Sequence, residues 1–199
     1  MRRGDRGVVI VACGERALNE AELCKRTVRE HSTLPIELVT GDSSIGDLTE
    51  RSRDAKTRLH ELSPFAQTLY LDADTRVQQD INAGFAVLGD GWDMALTFSS
   101  QQDDGWLWHV TDDEREFTLN ELGSRWLQLQ CGVMFWRRNA ATDALFRAWH
   151  EEWQMYRGQD QAAFLRAMKR QPVRLWLLGR PWNGGAVIEH RFGRLRGAA

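Results

Sequence analysis

An unbroken apolar run, Gly7-Val-Val-Ile-Val-Ala12, stands near the start of the sequence and restricts the fold more than any later stretch. A strand with one wet face alternates apolar and polar residues. A run without alternation is expected where both faces are covered, as in a parallel sheet packed between helices. Leu18, Ala21, Lys25 and Val28 then recur at roughly helical spacing and predict a helix over 18–31. Pro35 precedes a second apolar run, Ile36-Glu-Leu-Val-Thr40, closed by Gly41-Asp42-Ser43. Strand, helix and strand within this length make a right-handed βαβ unit, with the first strand near the sheet centre. The loop from Cys13 to Arg16 then lies at a strand's C-terminal end, where open α/β sheets bind ligands, and suits a nucleotide base.

The second constraint is Thr68-Leu-Tyr-Leu-Asp-Ala-Asp-Thr-Arg-Val77. Aspartate is a poor strand former, so the strand is expected to stop at Asp72 and leave the carboxylates of Asp72 and Asp74 at its exposed tip. Two hard oxygen anions held together suit Mg²⁺ or Mn²⁺, and such a cation suits a diphosphate leaving group. The plainer alternative is a pair of solvated turn residues.

The remaining pattern continues the alternation. Residues 43–53 read as a loop, 54–62 as a helix ended by Ser63-Pro64, 80–88 as a short helix or turn, and 93–98 as a strand. Residues 99–116, rich in Ser, Gln, Asp and Gly with Trp106 and Trp108 embedded, read as a mobile lid without regular structure. Cys131-Gly-Val-Met-Phe-Trp136 is the next strand. Asn139 caps a helix whose Leu145, Phe146, Trp149, Trp153 and Tyr156 form a core-facing stripe. Asp160-Gln161 opens another helix, 173–178 is a strand, and 186–189 is a last strand ending at His190. His31, His60, His109 and His150 read as surface or helix-face residues. No repeat or linker interrupts this order, so residues 1–199 are expected to form one α/β domain with a central mixed, mostly parallel sheet.

A length of 199 residues is enough for a self-sufficient core, and a net charge of −2 argues against a general polyanion binder. Three cysteines, Cys13, Cys24 and Cys131, without Cys-x-x-Cys spacing fit reduced thiols and a cytoplasmic setting. No apolar stretch reaches the length of a membrane span, and the run at Val8–Cys13 is short for a signal segment.

In this order the pieces resemble the GT-A glycosyltransferases, in particular the glycogenin-like family 8 and its small bacterial and phage relatives. The resemblance runs from about Val8 to Gly193 and is most specific over Leu62-Ser-Pro-Phe-Ala-Gln-Thr-Leu-Tyr-Leu-Asp-Ala-Asp-Thr75. Arg53 and Lys56 fall where the family has basic residues ahead of its Asp-x-Asp motif. Gln130-Cys-Gly132-Val is similar to the Asn-Ser/Thr-Gly-Val strand lining the sugar pocket, and Asp160-Gln161 to the Asp-Gln pair opening the next helix. Pro181-Trp182-Asn183 and His190 match the Trp-Asn before the last strand and the histidine metal ligand.

The resemblance implies a metal-dependent transferase using a nucleotide diphosphate sugar, expected to be a UDP-sugar, with retention of configuration. Asp72, Asp74 and His190 would hold Mn²⁺ or Mg²⁺. Ala12, Cys13, Arg53, Lys56, Asp72, Ala73, Gln130, Gly132, Asn183, Arg191 and Arg194 would bind the donor, with Asp160 and Gln161 at the reacting sugar. Gln130-Cys131 departs from Asn-Ser/Thr, which alters the hydrogen bonds offered to the sugar. The family's Lys-Pro-Trp does not follow His190, so Arg191, Arg194 or Arg196 would grip the diphosphate. The acceptor stays open among glycan, protein, lipid-linked sugar and a modified base in DNA, the last fitting a phage protein in a bacterial host. Two rival readings are a sugar nucleotidyltransferase of related fold and a non-catalytic nucleotide-sugar-binding scaffold. The first would want a Gly-rich basic loop after the first strand, where Cys13-Gly-Glu-Arg16 offers one Gly and one Arg.

Overall fold

The computed structural model describes residues 5–99 and 105–192. In chain order the elements are β1 (Arg6–Val11), α1 (Glu15–His31), β2 (Ile36–Val39), α2 (Leu48–Thr57), α3 (Leu59–Leu62), β3 (Gln67–Asp72), β4 (Thr75–Val77) and α4 (Asn82–Gly89). There follow β5 (Met94–Phe98), α5 (Asp112–Leu122), β6 (Leu129–Arg137), α6 (Ala140–Gln154), α7 (Asp160–Arg170), β7 (Leu175–Leu178), a 3₁₀ turn at Arg180–Trp182 and β8 (Ile188–His190). Six strands form one sheet in the order β2-β1-β3-β6-β5-β7. β1 runs parallel to β2 and β3, β5 runs parallel to β7, and β6 is antiparallel to both of its neighbours.

The missing alternation in β1 has the expected cause. Val8 and Ile10 pack under α1 and α4, whereas Val9 and Val11 face α2, α6 and α7, so neither side of the strand meets water. The same two-sided division sorts β3, with Leu69 and Leu71 on one face and Tyr70 on the other. α6 begins where the sequence placed it. The Asn139 side chain accepts from Thr142 N at 2.9 Å, and Thr142 Oγ1 accepts from Asn139 N at 3.1 Å, which satisfies two donors at the helix start. Leu145, Phe146, Trp149 and Trp153 are buried, while Tyr156 lies past the helix end and is exposed.

Three expectations are corrected. Residues 43–53 are not all loop, because α2 starts at Leu48, with Asp47 Oδ1 accepting from Thr49 N and Glu50 N at 2.8 Å each. Of the stretch read as a lid, residues 100–104 lie outside the described residues. The rest is packed: Trp106, Leu107 and Val110 are buried in a series of turns, and α5 opens at Asp112 under a Thr111 cap. α5 escaped periodicity because its buried residues are Glu114, Thr118 and Leu122, a mostly polar stripe. Glu114 and Glu152 close on the buried Arg166 guanidinium, at 3.3 and 2.9 Å, and so tie α5, α6 and α7 together. Last, His60 is a helix-face residue of α3 that points inward rather than to the surface; it is buried and stacks on Phe146, with ring centres 5.5 Å apart.

β4 and β8 form a separate two-stranded antiparallel sheet beyond the end of β3. No helix among the described residues is long and apolar enough to cross a membrane.

Candidate metal and donor site

Side chains two apart on a strand share a face, so Tyr70 and Asp72 project together from the end of β3. The chain turns through Ala73-Asp74 and enters β4. The pairing of β4 with β8 places Thr75 opposite His190, and Arg191 N donates to Asp74 O at 3.2 Å. This register carries a histidine from far along the chain to the two aspartates. His190 Nε2 lies 3.2 Å from Asp74 Oδ1 and 3.7 Å from Asp72 Oδ2, and one ligand atom of each residue falls within 4.8 Å of the others.

The imidazole is held from behind. His190 Nδ1 is 2.6 Å from Asn183 Oδ1, and Asn183 Nδ2 donates to Thr97 Oγ1 at 3.1 Å. With the Asn183 nitrogen on Thr97, the carboxamide oxygen faces the ring as an acceptor for Nδ1, and Nε2 faces the carboxylates. An oxygen, oxygen and nitrogen set at this spacing suits a divalent ion. Gly132 of β6 makes the close approach feasible. A Cβ there would lie 2.3 Å from His190 Cε1 and 2.7 Å from Asp72 Oδ2. The pairing of β6 with β5 shifts register beside it, between Leu96 and Thr97, as strands often do next to a site.

Asp72 Oδ1 is occupied otherwise: Tyr70 Oη donates to it at 2.5 Å and Lys56 Nζ at 3.3 Å. Burial, reinforced by Asp72, pushes the Tyr70 phenol well above its usual range and keeps it a donor. The Lys56 ammonium also lies 2.9 Å from Asp160 Oδ2. Burial alone would lower this lysine, but the carboxylates of Asp160 and Asp72 outweigh it and hold the group above its ordinary value. Burial likewise opposes ionisation of Asp160, and Lys56 overcomes that and holds the carboxyl below its usual range. The pair is therefore charged.

These groups open on a cleft of about 1360 Å³. Cys13, Arg53, Lys56, Asp72, Ala73, Asp74, Gln130, Asp160, Gln161, Asn183 and His190 all line it. Ala12 does not; it is buried on the α1 side of the sheet. Gly132 sits behind the Asp72, Asp74 and His190 cluster rather than on the cleft wall, and Arg191 lies 3.7 Å from Glu189 rather than lining the cleft. Arg194 is outside the described residues. Asn183, on the cleft wall, also orients His190, a use the sequence expectation did not include. At the far end Gln161 Nε2 donates to Gln130 Oε1 at 2.7 Å, and Arg53 donates to Gln159 at 2.9 Å. Sequence reading passed over Tyr70, Thr97, Gln128, Gln159 and Arg180. Only Tyr70 carried a local signal, its position two residues before Asp72 on the same strand.

No protein-family model and no curated protein matches this chain. The class is defined by fold and site together: a mixed, mostly parallel α/β sheet flanked by helices, with an Asp-x-Asp turn at a strand's C-terminal end, is the GT-A fold. Among particular solved structures, mouse xyloside xylosyltransferase 1 is similar at 12% identity and a TM-score of 0.59, covering 90% of this chain and 87% of that one. A glycosyltransferase involved in glycosylation of the major capsid of PBCV-1 is similar at 13% identity and a TM-score of 0.58, covering 94% and 95%. The bifunctional glycosyltransferase WbbM reaches a TM-score of 0.63 at 12% identity, covering 88% of this chain and 39% of its own.

Proposed function

We propose that this protein is a metal-dependent glycosyltransferase that moves a sugar from a nucleotide diphosphate donor, of the UDP type, to an acceptor. The observation that carries the reading is the meeting of Asp72, Asp74 and His190 at one end of a cleft in a GT-A fold. The three would hold Mn²⁺ or Mg²⁺, with the imidazole favouring Mn²⁺. A bound cation neutralises charge on the departing diphosphate.

The chain's own residues do the rest. Tyr70 and Lys56 fix one oxygen of Asp72 and leave the other toward the triad. Lys56 keeps Asp160 ionised at the sugar end, and the Gln161 and Gln130 carboxamides, bonded to each other, present polar groups to sugar hydroxyls. Cys13 and Arg53 stand where the nucleotide would lie. Arg180, which lines the cleft from the turn before β8, supplies a guanidinium for the diphosphate in the place expected of Arg191. Kinship with the glycogenin-like enzymes, and with it retention of configuration, rests on the motif order in the sequence. Proton NMR of the first-formed product reads the configuration directly.

Calorimetric titration of UDP tests the reading. Binding is expected with Mn²⁺ present, and should disappear on chelation and in Asp74→Ala. UDP binding that ignores the metal and survives in the variant would turn the reading toward a non-catalytic scaffold.

A further inference from the structure

The three most exposed aromatic side chains among the described residues are Trp108 at 66%, Phe192 at 50% and Phe98 at 46%. All three line the same cleft. Scattered apolar side chains on a surface need no explanation, but aromatic faces gathered in one concave site mark a ligand. The cleft also has space for more than a donor, since its roughly 1360 Å³ exceeds the range of about 300–1,000 Å³ usual for a single small-molecule site. The aromatic wall begins at the metal-ligand triad: the Phe192 ring stacks on the His190 imidazole at 4.1 Å and 23°. Phe98 ends β5 directly after Thr97, and the Trp108 ring meets His109 edge-on at 5.7 Å.

The polar groups on the wall narrow the chemistry. Gln130 and Gln161 offer carboxamides, which can both donate and accept, with the buried Gln128 bracing Gln161 from behind. Hydroxyls have the same dual character, whereas a phosphate only accepts and is better met by arginine and lysine. Charge agrees: among the described residues four basic and four acidic side chains line the cleft, a balance that does not favour a nucleic acid.

We infer that the cleft contains an acceptor subsite for a neutral saccharide, with Trp108 as its stacking platform and Phe98 and Phe192 leading toward the transfer point. The inference rests on the transferase reading and shares Gln130 and Gln161 with the donor sugar; its aromatic platform is what is new.

Saturation-transfer NMR with neutral gluco-, galacto- and xylo-oligosaccharides, with and without UDP and Mn²⁺, tests it beside a single-stranded oligonucleotide at low and high salt. At least one oligosaccharide should bind saturably. Trp108→Ala should weaken it tenfold or more, Trp108→Phe should keep most of the binding, and Trp176→Ala, outside the cleft, should leave it unchanged. Equal binding by Trp108→Ala and wild type, no saturable oligosaccharide, or salt-steep binding of the oligonucleotide alone would each overturn the subsite. UDP affinity measured on the same samples separates the two ideas: UDP failing to bind while oligosaccharide binding persists strikes the donor reading and spares the platform.

Discussion

Asn183 shows how one side chain can set the direction of another. Its oxygen lies 2.6 Å from His190 Nδ1 and its nitrogen is anchored on Thr97 at 3.1 Å, so the imidazole is held in one direction. Partners of this kind are worth about ten- to a hundredfold in metal affinity. Asn183→Leu should therefore weaken Mn²⁺ binding by about that factor in a calorimetric titration. Asn183→Asp, which still accepts from Nδ1, should retain most of it. At this scale the sequence was uneven. Asp72 and Asp74 were legible because a strand followed by two close acids is a local pattern. His190 was legible only through resemblance, and the use of Asn183 not at all, since nothing local says which atom a carboxamide faces.

Elements were legible where burial is apolar. α6 shows its stripe of Leu145, Phe146, Trp149 and Trp153 and its asparagine cap, and β1 shows its unbroken run. α5 and α2 bury polar or charged groups instead, Glu114 and Thr118 in one, Asp54, Lys56 and Thr57 in the other, and hydropathy is blind to them. Asp93 is a further case, read from sequence merely as the start of a strand. Its buried carboxylate joins β5 to the end of β6 and the approach to β7, accepting from Arg137 Nη2 and Asn139 Nδ2 at 2.8 Å and Arg174 N at 3.0 Å. Burial would raise its pKa, but hydrogen bonds from Arg174 and Arg137 prevail and hold it well below the ordinary 3.8. A carboxyl depressed on folding contributes stability that is complete above its unfolded value and fades as pH falls toward the folded one. Asp93→Asn should thus lower unfolding free energy at pH 7 by about 1–3 kcal/mol. In urea titrations the deficit against wild type should narrow as pH drops below 3.8.

For the whole molecule, the triad joins the turn after β3 to the strand that ends the described chain. An ion held there binds the folded state and not the unfolded one, so Mn²⁺ at a hundred times its dissociation constant should add about 2.7 kcal/mol of stability. Scanning calorimetry should show a midpoint that rises with Mn²⁺, falls back with EDTA, and does not move in Asp74→Ala. A metal-independent midpoint in wild type would contradict the site. By itself the sequence determined the α/β class, the strand that ends at Asp72, and the helices with apolar stripes. These depend on whether consecutive residues meet water or protein, and a local pattern records that. Tertiary structure alone decided that β6 runs antiparallel between β3 and β5, that β4 and β8 leave the main sheet, and that their register sets His190 opposite Thr75. Those choices come from the energetics of packing distant segments together, with a glycine at 132 leaving room for an imidazole, and no stretch of neighbouring residues encodes them.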